Sequence, residues 1–167
     1  EFGALSFDLA DRLQTPVFVM LDLEIGMNDR LTKPFAWDDK RVLDRGKVMS
    51  AEDLEAGKKF GRYLDVDGDG IPYRTYPGTH PSKGAFFTRG TSKDSMARYS
   101  EEGKDYQENM ERLLKKHDTA RHLVPHAIER KSDKPSPYGV IYYGSTSPAM
   151  DEARALLAQN DIHLDVL

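Results

Sequence analysis

The first twenty residues combine a helical pattern with an apolar run. Apolar side chains recur at helical spacing, with polar residues between them, at Phe2, Leu5, Leu9 and Leu13. This pattern predicts an amphipathic helix that ends at Thr15-Pro16, because proline cannot continue a helix. Residues 17–21 (VFVML) are apolar throughout, which favours a strand buried on both faces, as in a parallel sheet. A helix followed by a buried strand is half of an α/β unit.

The periodic pattern is lost over residues 22–49, which we predict to be a loop. Ser50 and Asp53 then form a capping-box pattern, with Asp in place of the usual Glu. A short helix over residues 51–63 is the expected consequence.

Residues 72–99 are rich in proline and glycine and are predicted to be largely irregular, with one possible short strand at 85–88. The clearest helical pattern of the chain follows at 101–123, with Ser100 as its predicted cap. Acidic residues lie in its first turn and basic residues near its end, which complements the helix dipole.

The pattern changes abruptly after a polar linker at residues 131–137 (KSDKPSP). Residues 138–143 predict a buried strand, and a tight turn leads to Ser147, which we predict as the N-cap of a helix that runs to about residue 159. Residues 162–167 return to a strand pattern. The order predicts a right-handed βαβ unit with parallel strands.

Composition restricts the classes of function. The 167 residues carry a net charge of -4 and no cysteine. An acidic chain of this kind argues against nucleic-acid binding, and no apolar run approaches the ~20 residues of a membrane span. The lack of cysteine fits a reducing cytoplasm and excludes an iron–sulfur cluster ligated by this chain. Because the chain starts with Glu and stops within an apolar run, we expect a piece of a longer polypeptide.

The most informative stretch is an acidic loop in the middle of the chain. Asp65, Asp67, Asp69 and Gly70 match positions 1, 3, 5 and 6 of the twelve-residue calcium-binding loop, in which oxygen ligands lie on alternate residues. The twelfth position is Tyr76, so the bidentate acid of an EF-hand is missing. Two interpretations remain open. The three aspartates bind Ca²⁺ or Mg²⁺, or their carboxylates accept backbone N–H bonds in Asx turns.

Hydrogen-bond donors follow within ten residues, at Arg74, Thr79, His80 and Lys83. Such a group can hold a carboxylate or phosphate, with the arginine as a bidentate fork. Ordinary surface charge in a polar loop is the alternative. A second candidate anion site is the turn at residues 144–147, where a helix start offers free N–H groups, but a plain strand-to-helix turn is the favoured interpretation.

Read together, these segments resemble the α subunit of the 2-oxoacid:ferredoxin oxidoreductases, in particular the 2-oxoglutarate type. The longest matching stretch is DVDGDGIPYRTYPGTHPSKGAFFTRGTSKD, residues 65–94. Residues 5–28 (LSFDLADRLQTPVFVMLDLEIGMN), 45–49 and 138–153 (YGVIYYGSTSPAMDEA) also match. The resemblance covers nearly the whole chain.

The resemblance implies an α/β fold in three segments. Residues 1–30 would be the C-terminal part of a pyrimidine-type thiamine-diphosphate-binding domain. Residues 31–136 would be a long irregular and helical connecting segment with the acidic glycine loop. Residues 137–167 would be the truncated start of a transketolase C-terminal-like βαβ domain.

The resemblance also implies an activity, which is the oxidative decarboxylation of a 2-oxo acid to an acyl-CoA with transfer of electrons to ferredoxin. Thiamine diphosphate, its Mg²⁺ and a 4Fe-4S cluster would be held mainly by a partner β subunit. Arg74 looks like the family's substrate-carboxylate arginine, with Thr79, His80 and Lys83 as supporting donors. The chain by itself would be inactive.

A hypothesis from a different class is a non-catalytic calcium-binding or interaction module organised by Asp65, Asp67 and Asp69. Binding of Ca²⁺ that stabilises the chain would favour it over the oxidoreductase hypothesis.

Overall fold

The structure is a computed structural model that describes residues 2–29 and 31–167. Its helices are α1 (Phe2–Leu13), α2 (Leu23–Met27), α3 (Ala51–Glu55), α4 (Gly103–Ala120) and α5 (Ser147–Ala158). Its strands are β1 (Gly139–Val140) and β2 (Asp165–Val166), and a short 3₁₀ turn at Gly144–Thr146 precedes α5. The described residues form two compact units, one from residues 2–18 and 40–124 and the other from residues 19–29, 31–39 and 125–167.

The first unit has a small apolar core formed by α1 and α4 together with the end of the acidic loop. Leu9, Leu13 and Ile71 are its buried members. The side chains packed against them are Leu5, Val17, Ala120 and Leu123. Leu5, Leu9 and Leu13 of the predicted apolar stripe therefore face this core, whereas Phe2 is 59% exposed, and the predicted first helix is confirmed.

Helix α3 begins as the sequence predicts and ends earlier. The Asp53 N–H donates to the Ser50 hydroxyl at 3.2 Å and the Ser50 N–H donates to the Asp53 carboxylate at 3.1 Å, which confirms the capping box. The helix stops at Glu55, because the N–H groups of Gly57 and Lys58 turn back to the carbonyls of Leu54 and Asp53 at 3.3 and 3.1 Å. This double contact is a Schellman motif, which ends a helix. The predicted extension to residue 63 was wrong.

The helix predicted at residues 101–123 is confirmed as α4 over Gly103–Ala120, with Glu102 rather than Ser100 as its N-cap residue. The Ser100 hydroxyl still accepts the Glu102 N–H at 3.2 Å. The prediction located the polar group that serves the helix start but extended the helix by a few residues at each end.

Two predicted strands are absent from the described residues. Residues 17–21 belong to no strand, and Phe18 and Met20 are 83% and 85% exposed. Residues 85–88 likewise form no strand. A strand needs a hydrogen-bonding neighbour, and the described part of the chain supplies none at either place. Part of the predicted loop 22–49 is helical, since α2 begins after Asp22, whose carboxylate accepts the Ile25 N–H at 2.8 Å.

The second unit contains the predicted βαβ unit. Strands β1 and β2 pair in parallel, with Gly139 opposite Asp165 and Val140 opposite Val166, and α5 lies between them in sequence. The strands are shorter than predicted, and Thr146 rather than Ser147 is the N-cap residue of α5. At the turn before α5, the Ser145 N–H donates to the Asp22 carboxylate at 2.7 Å. A carboxylate of the chain itself thus takes the N–H group that could have served an anion.

Candidate functional site

A cavity of about 230 Å³ lies in the proline- and glycine-rich loop of the first unit. Three of the four predicted substrate-binding residues, Thr79, His80 and Lys83, line it. The fourth, Arg74, is not among its lining residues. The remaining wall is formed by Thr75–Gly78 and Gly84–Phe86. The structure therefore brings together most of the donors that the sequence placed within ten residues.

His80 is fixed by hydrogen bonds on both ring nitrogens. Its Nδ1 accepts the backbone N–H groups of Ser82 and Lys83 at 3.1 and 2.9 Å. Because Nδ1 is an acceptor, the proton of the neutral ring is on Nε2, which contacts a carboxylate oxygen of Glu55. The side chain is only 7% exposed. Both ring nitrogens are therefore engaged in contacts that hold the loop in place, and neither is available to take a proton from a ligand.

Lys83 is the accessible cation of the cavity. Its Nζ lies 2.9 Å from the other carboxylate oxygen of Glu55, and its side chain is 44% exposed. Hydrogen bonds from Lys83 and then His80 lower the pKa of Glu55. The carboxylate of Glu55 thus contacts both His80 and Lys83. The sequence predicts these two residues as ligands of a substrate carboxylate.

Thr79 supports the turn that forms one wall. Its hydroxyl accepts the Tyr76 N–H at 3.1 Å and donates to the Tyr76 carbonyl at 2.8 Å. Both contacts are local, so the primary role of this hydroxyl in the structure is to close the turn over residues 76–79.

Arg74 lies outside the cavity and contacts helix α1. Its Nη2 donates to the Asp11 carboxylate at 3.1 Å and to the Arg45 carbonyl at 2.7 Å. Its guanidinium also stacks on Tyr76, with Cζ 5.5 Å from the ring centroid. Nε is buried, and no acceptor among the described residues reaches it. In this structure Arg74 joins the loop to α1.

The acidic loop holds a lysine ammonium between two of its carboxylates. Lys47 Nζ lies 2.7 Å from both Asp67 Oδ2 and Asp69 Oδ1. Asp65 instead accepts the N–H groups of Gly68 and Asp69 at 2.9 and 3.1 Å, as the Asx-turn interpretation expects.

Among residues 2–29 and 31–167, no group of three or more metal-ligating side chains could hold a metal ion. The structure therefore does not assemble Asp65, Asp67 and Asp69 as one metal site. Their role as metal ligands stays a prediction from the sequence.

Sequence reasoning missed three residues that organise these sites, namely Asp11, Lys47 and Glu55. Each pairs with a residue at least 20 positions away. No local sequence motif identifies such a pair. The capping box next to Glu55 predicts where α3 begins, but it does not predict the contacts of Glu55.

Within the described ranges, no helix has the length and apolar character to cross a membrane.

The sequence matches no protein-family model and no curated protein. The structure, however, is similar to a chain of 2-oxoglutarate:ferredoxin oxidoreductase from Magnetococcus marinus, a structure with 2-oxoglutarate, coenzyme A and succinyl-CoA bound. The TM-score is 0.71 at 16% sequence identity, and the match covers 95% of this chain and 26% of that chain. Similarity at this level of identity establishes the fold. This chain corresponds to about a quarter of the length of its neighbour.

Proposed function

We propose that this chain is part of the α subunit of a thiamine-diphosphate-dependent 2-oxoacid:ferredoxin oxidoreductase, with 2-oxoglutarate as its substrate. The observation that carries the proposal is the fold similarity to such an enzyme over 95% of the chain. The cavity lined by Thr79, His80 and Lys83 supports it, because these are donors suited to a carboxylate. The partners in this proposal are a β subunit, ferredoxin, the 2-oxo acid and coenzyme A.

In this proposal Lys83 receives a substrate carboxylate in the cavity. Its ammonium is already paired with one carboxylate, that of Glu55, at 2.9 Å. A substrate carboxylate would share or replace that contact. His80 and Thr79 would fix the shape of the loop, since their polar atoms are engaged in local contacts.

We propose that Arg74 binds the substrate by giving up its contact with Asp11. Its Nη2 now contacts Asp11, and its Nε lacks an acceptor among the described residues. A substrate carboxylate could use both N–H groups as a bidentate fork. This exchange would detach Arg74 from α1, so substrate binding and the position of the loop would be coupled.

In this proposal thiamine diphosphate, its Mg²⁺ and the 4Fe-4S cluster are held mainly by the partner β subunit, as the resemblance implies. The part of the chain that the structure describes contains no group of three metal-ligating side chains. The lack of cysteine in this chain is in keeping with an iron–sulfur cluster on that subunit. The contribution of this chain is the recognition and positioning of the substrate.

The test uses the assembled enzyme, with the complete polypeptide produced together with its β subunit. CoA-dependent reduction of a viologen dye is measured with 2-oxoglutarate for wild type, Lys83→Met and Arg74→Ala. Loss of a charged hydrogen-bond partner should cost about 2–4 kcal/mol, which is roughly a 30- to 1,000-fold decrease in kcat/KM. Lys104→Met is the matched control, because Lys104 is an exposed lysine on α4.

Three outcomes are informative. Reduced kcat/KM in Lys83→Met with an unchanged Lys104→Met supports both the family and the cavity. Full activity in Lys83→Met and Arg74→Ala supports the family and places the substrate elsewhere. Absence of activity with every 2-oxo acid tested overturns the proposed function.

A further inference from the structure

Three cationic side chains surround the ring of Tyr63 in the first unit. Lys93 Nζ lies 4.8 Å from the ring centroid, and the Cζ atoms of Arg62 and Arg112 lie 5.3 and 5.6 Å from it. Contacts with a ring face are attractive for each cation. They do not neutralise the charges, so three like charges remain close to one another.

Arg62 has no acidic partner in the described part of the chain. It makes no ion pair or hydrogen bond there, and its other contact is with the ring of Phe86, 5.6 Å from Cζ. Burial lowers the pKa of Arg62, and the charge of Arg74 lowers it further against an opposing effect of Tyr63. A half-buried guanidinium without a carboxylate is an unusual arrangement, because charged groups removed from water are normally paired.

Neighbouring cations add to the same positive region. Arg112 donates from Nη1 to the Gly70 carbonyl at 3.1 Å, while its buried Nε has no partner among the described residues. Lys116 donates to the Gln14 carbonyl at 3.2 Å. Burial, followed by the charges of Arg112 and Arg62, lowers the pKa of Lys116. Backbone carbonyls thus accept hydrogen bonds from both cations, and burial, followed by the charge of Arg62, lowers the pKa of Arg112 against a smaller opposing effect of the charge of Asp65.

The ring of Tyr63 also borders a cavity of about 210 Å³. Ser95, Asn109 and Arg112 contribute donors to its wall. Asp65 and Glu108 line it too, but each lies near a lysine of its own, Lys115 at 3.5 Å and Lys104 at 3.7 Å. Of the three cations around the ring, only Arg112 lines this cavity, which therefore offers an oxyanion one guanidinium and the donors of its wall.

We propose that Arg62, Lys93 and Arg112 form a binding site for a small, multiply charged oxyanion, of which inorganic phosphate is the simplest. An oxyanion would supply the acceptors that Arg62 and Arg112 Nε lack, and it would relieve the repulsion among the three cations. Arg62 makes no hydrogen bond in the described structure, so the edge of its guanidinium can offer an oxyanion a bidentate contact, whereas Arg112 already donates from Nη1 to the Gly70 carbonyl. Arg62 also lies beside Phe86, which lines the proposed substrate cavity, so the two places are neighbours. The oxyanion proposal does not depend on the proposed function.

The first test is chemical protection of the native, assembled protein. Phenylglyoxal, which modifies arginine side chains, is applied in phosphate and in chloride at equal ionic strength, and peptide mass spectrometry reports modification at each arginine. Phosphate at ten times its Kd should slow modification of Arg62 about tenfold. Arg121 is the internal control, because it is exposed and pairs only loosely with Asp118 at 3.7 Å. Equal slowing at both arginines, or an Arg62 that is unreactive in both buffers, overturns the proposal.

A variant gives an independent measurement. Lys93→Met removes one cation without changing Arg62, and it should raise the phosphate concentration for half-maximal protection of Arg62 about tenfold. Lys33→Met, which removes an exposed lysine of the second unit that makes no ion pair in the described structure, should leave that concentration unchanged. Equal effects of the two variants would show that general charge, rather than a site, attracts phosphate.

Discussion

Lys47 Nζ lies 2.7 Å from Asp69 Oδ1, in the middle of the loop whose sequence suggested a cation site. Asp67 accepts a second contact from the same ammonium at 2.7 Å, and the Ile71 carbonyl accepts a third at 3.0 Å. A side chain of the protein thus occupies the position between two carboxylates where an added metal ion would have to bind. The ammonium of Lys47 also offsets the repulsion between the carboxylates of Asp67 and Asp69, which lie in the same turn.

The first prediction concerns Ca²⁺. We expect millimolar Ca²⁺ to leave the thermal unfolding midpoint of the wild-type protein unchanged, because the ion would have to displace Lys47. Lys47→Ala removes the ammonium and should create a protein whose midpoint rises with Ca²⁺. Differential scanning calorimetry with and without Ca²⁺ measures both effects. A rise in the wild type would restore the metal interpretation of Asp65, Asp67 and Asp69.

The second prediction concerns pH. The hydrogen bond from Lys47 lowers the pKa of Asp67 in the folded protein. The folded state therefore binds fewer protons than the unfolded state near the ordinary aspartate pKa of about 3.9. The stabilisation is fully present above that pH and is lost as the pH falls through the lowered pKa.

At alkaline pH the stabilisation from the contacts of Lys47 is lost as the pH rises. Burial opposes ionisation of Lys47, but hydrogen bonds to Asp67 and Asp69 outweigh it and raise the pKa. This stabilisation is present below the ordinary lysine pKa of about 10.4 and is lost as the pH rises through the raised value. Urea midpoints of wild type and Lys47→Met should therefore differ at neutral pH and converge at both extremes. A difference that is constant from pH 2 to 12 would contradict this assignment.

The third prediction compares two glycines that share a positive φ. Gly70 has φ of +79°, and a Cβ there would lie 2.3 Å from the Lys116 backbone nitrogen in α4. Gly78 has φ of +82° and nothing within 4 Å of such a Cβ. Gly78→Ala should cost about 1 kcal/mol from the backbone conformation alone. Gly70→Ala should cost at least about 3 kcal/mol, because the loop must also move away from α4. Urea unfolding of the two variants measures the difference, and equal costs would refute the close approach.

Local chemistry explains which elements the sequence predicted correctly. The capping box of Ser50 and Asp53 and the apolar stripe of α1 depend on residues three or four positions apart. Such contacts are visible in a sequence, and the structure confirms them. The parallel βαβ unit was also predictable, because the order of apolar segments leaves few alternatives.

Long-range pairing explains what the sequence did not reveal. The apolar run 17–21 has strand composition, yet a strand requires a neighbour, and the described residues offer none. The partners of the candidate site are equally remote, since Arg74 contacts Asp11 across 63 positions and Lys83 contacts Glu55 across 28. The grouping of donors within ten residues of the sequence predicted Arg74 and Lys83 as anion ligands. It could not show that a carboxylate of the chain already holds each of them.

The fourth prediction separates the structural role of Arg74 from a role in binding. Its ion pair with Asp11 is partly buried, with 18% of the arginine side chain exposed. In a double-mutant cycle of Asp11→Asn and Arg74→Gln, we expect a coupling energy of about 1–3 kcal/mol in the free energy of unfolding. If Arg74 also binds substrate, Arg74→Gln should lower kcat/KM more than Asp11→Asn does at equal stability. Equal losses of activity would assign Arg74 a structural role alone.

The fifth prediction concerns the carboxylate that now holds Lys83. Glu55→Gln keeps the size and hydrogen-bonding capacity of the side chain but removes its negative charge. If a substrate carboxylate binds at Lys83, Glu55 competes with it, so KM for 2-oxoglutarate should fall about two- to fivefold, the size of a partly exposed charge interaction. The value of kcat should stay constant, because Glu55 contacts the binding groups and not the reacting atoms. Steady-state kinetics of the assembled enzyme measure both constants. Glu52→Gln is the matched control, since Glu52 lies on the same short helix and contacts neither His80 nor Lys83 in the described structure. A rise of KM in Glu55→Gln would instead show that Glu55 positions Lys83 for the substrate.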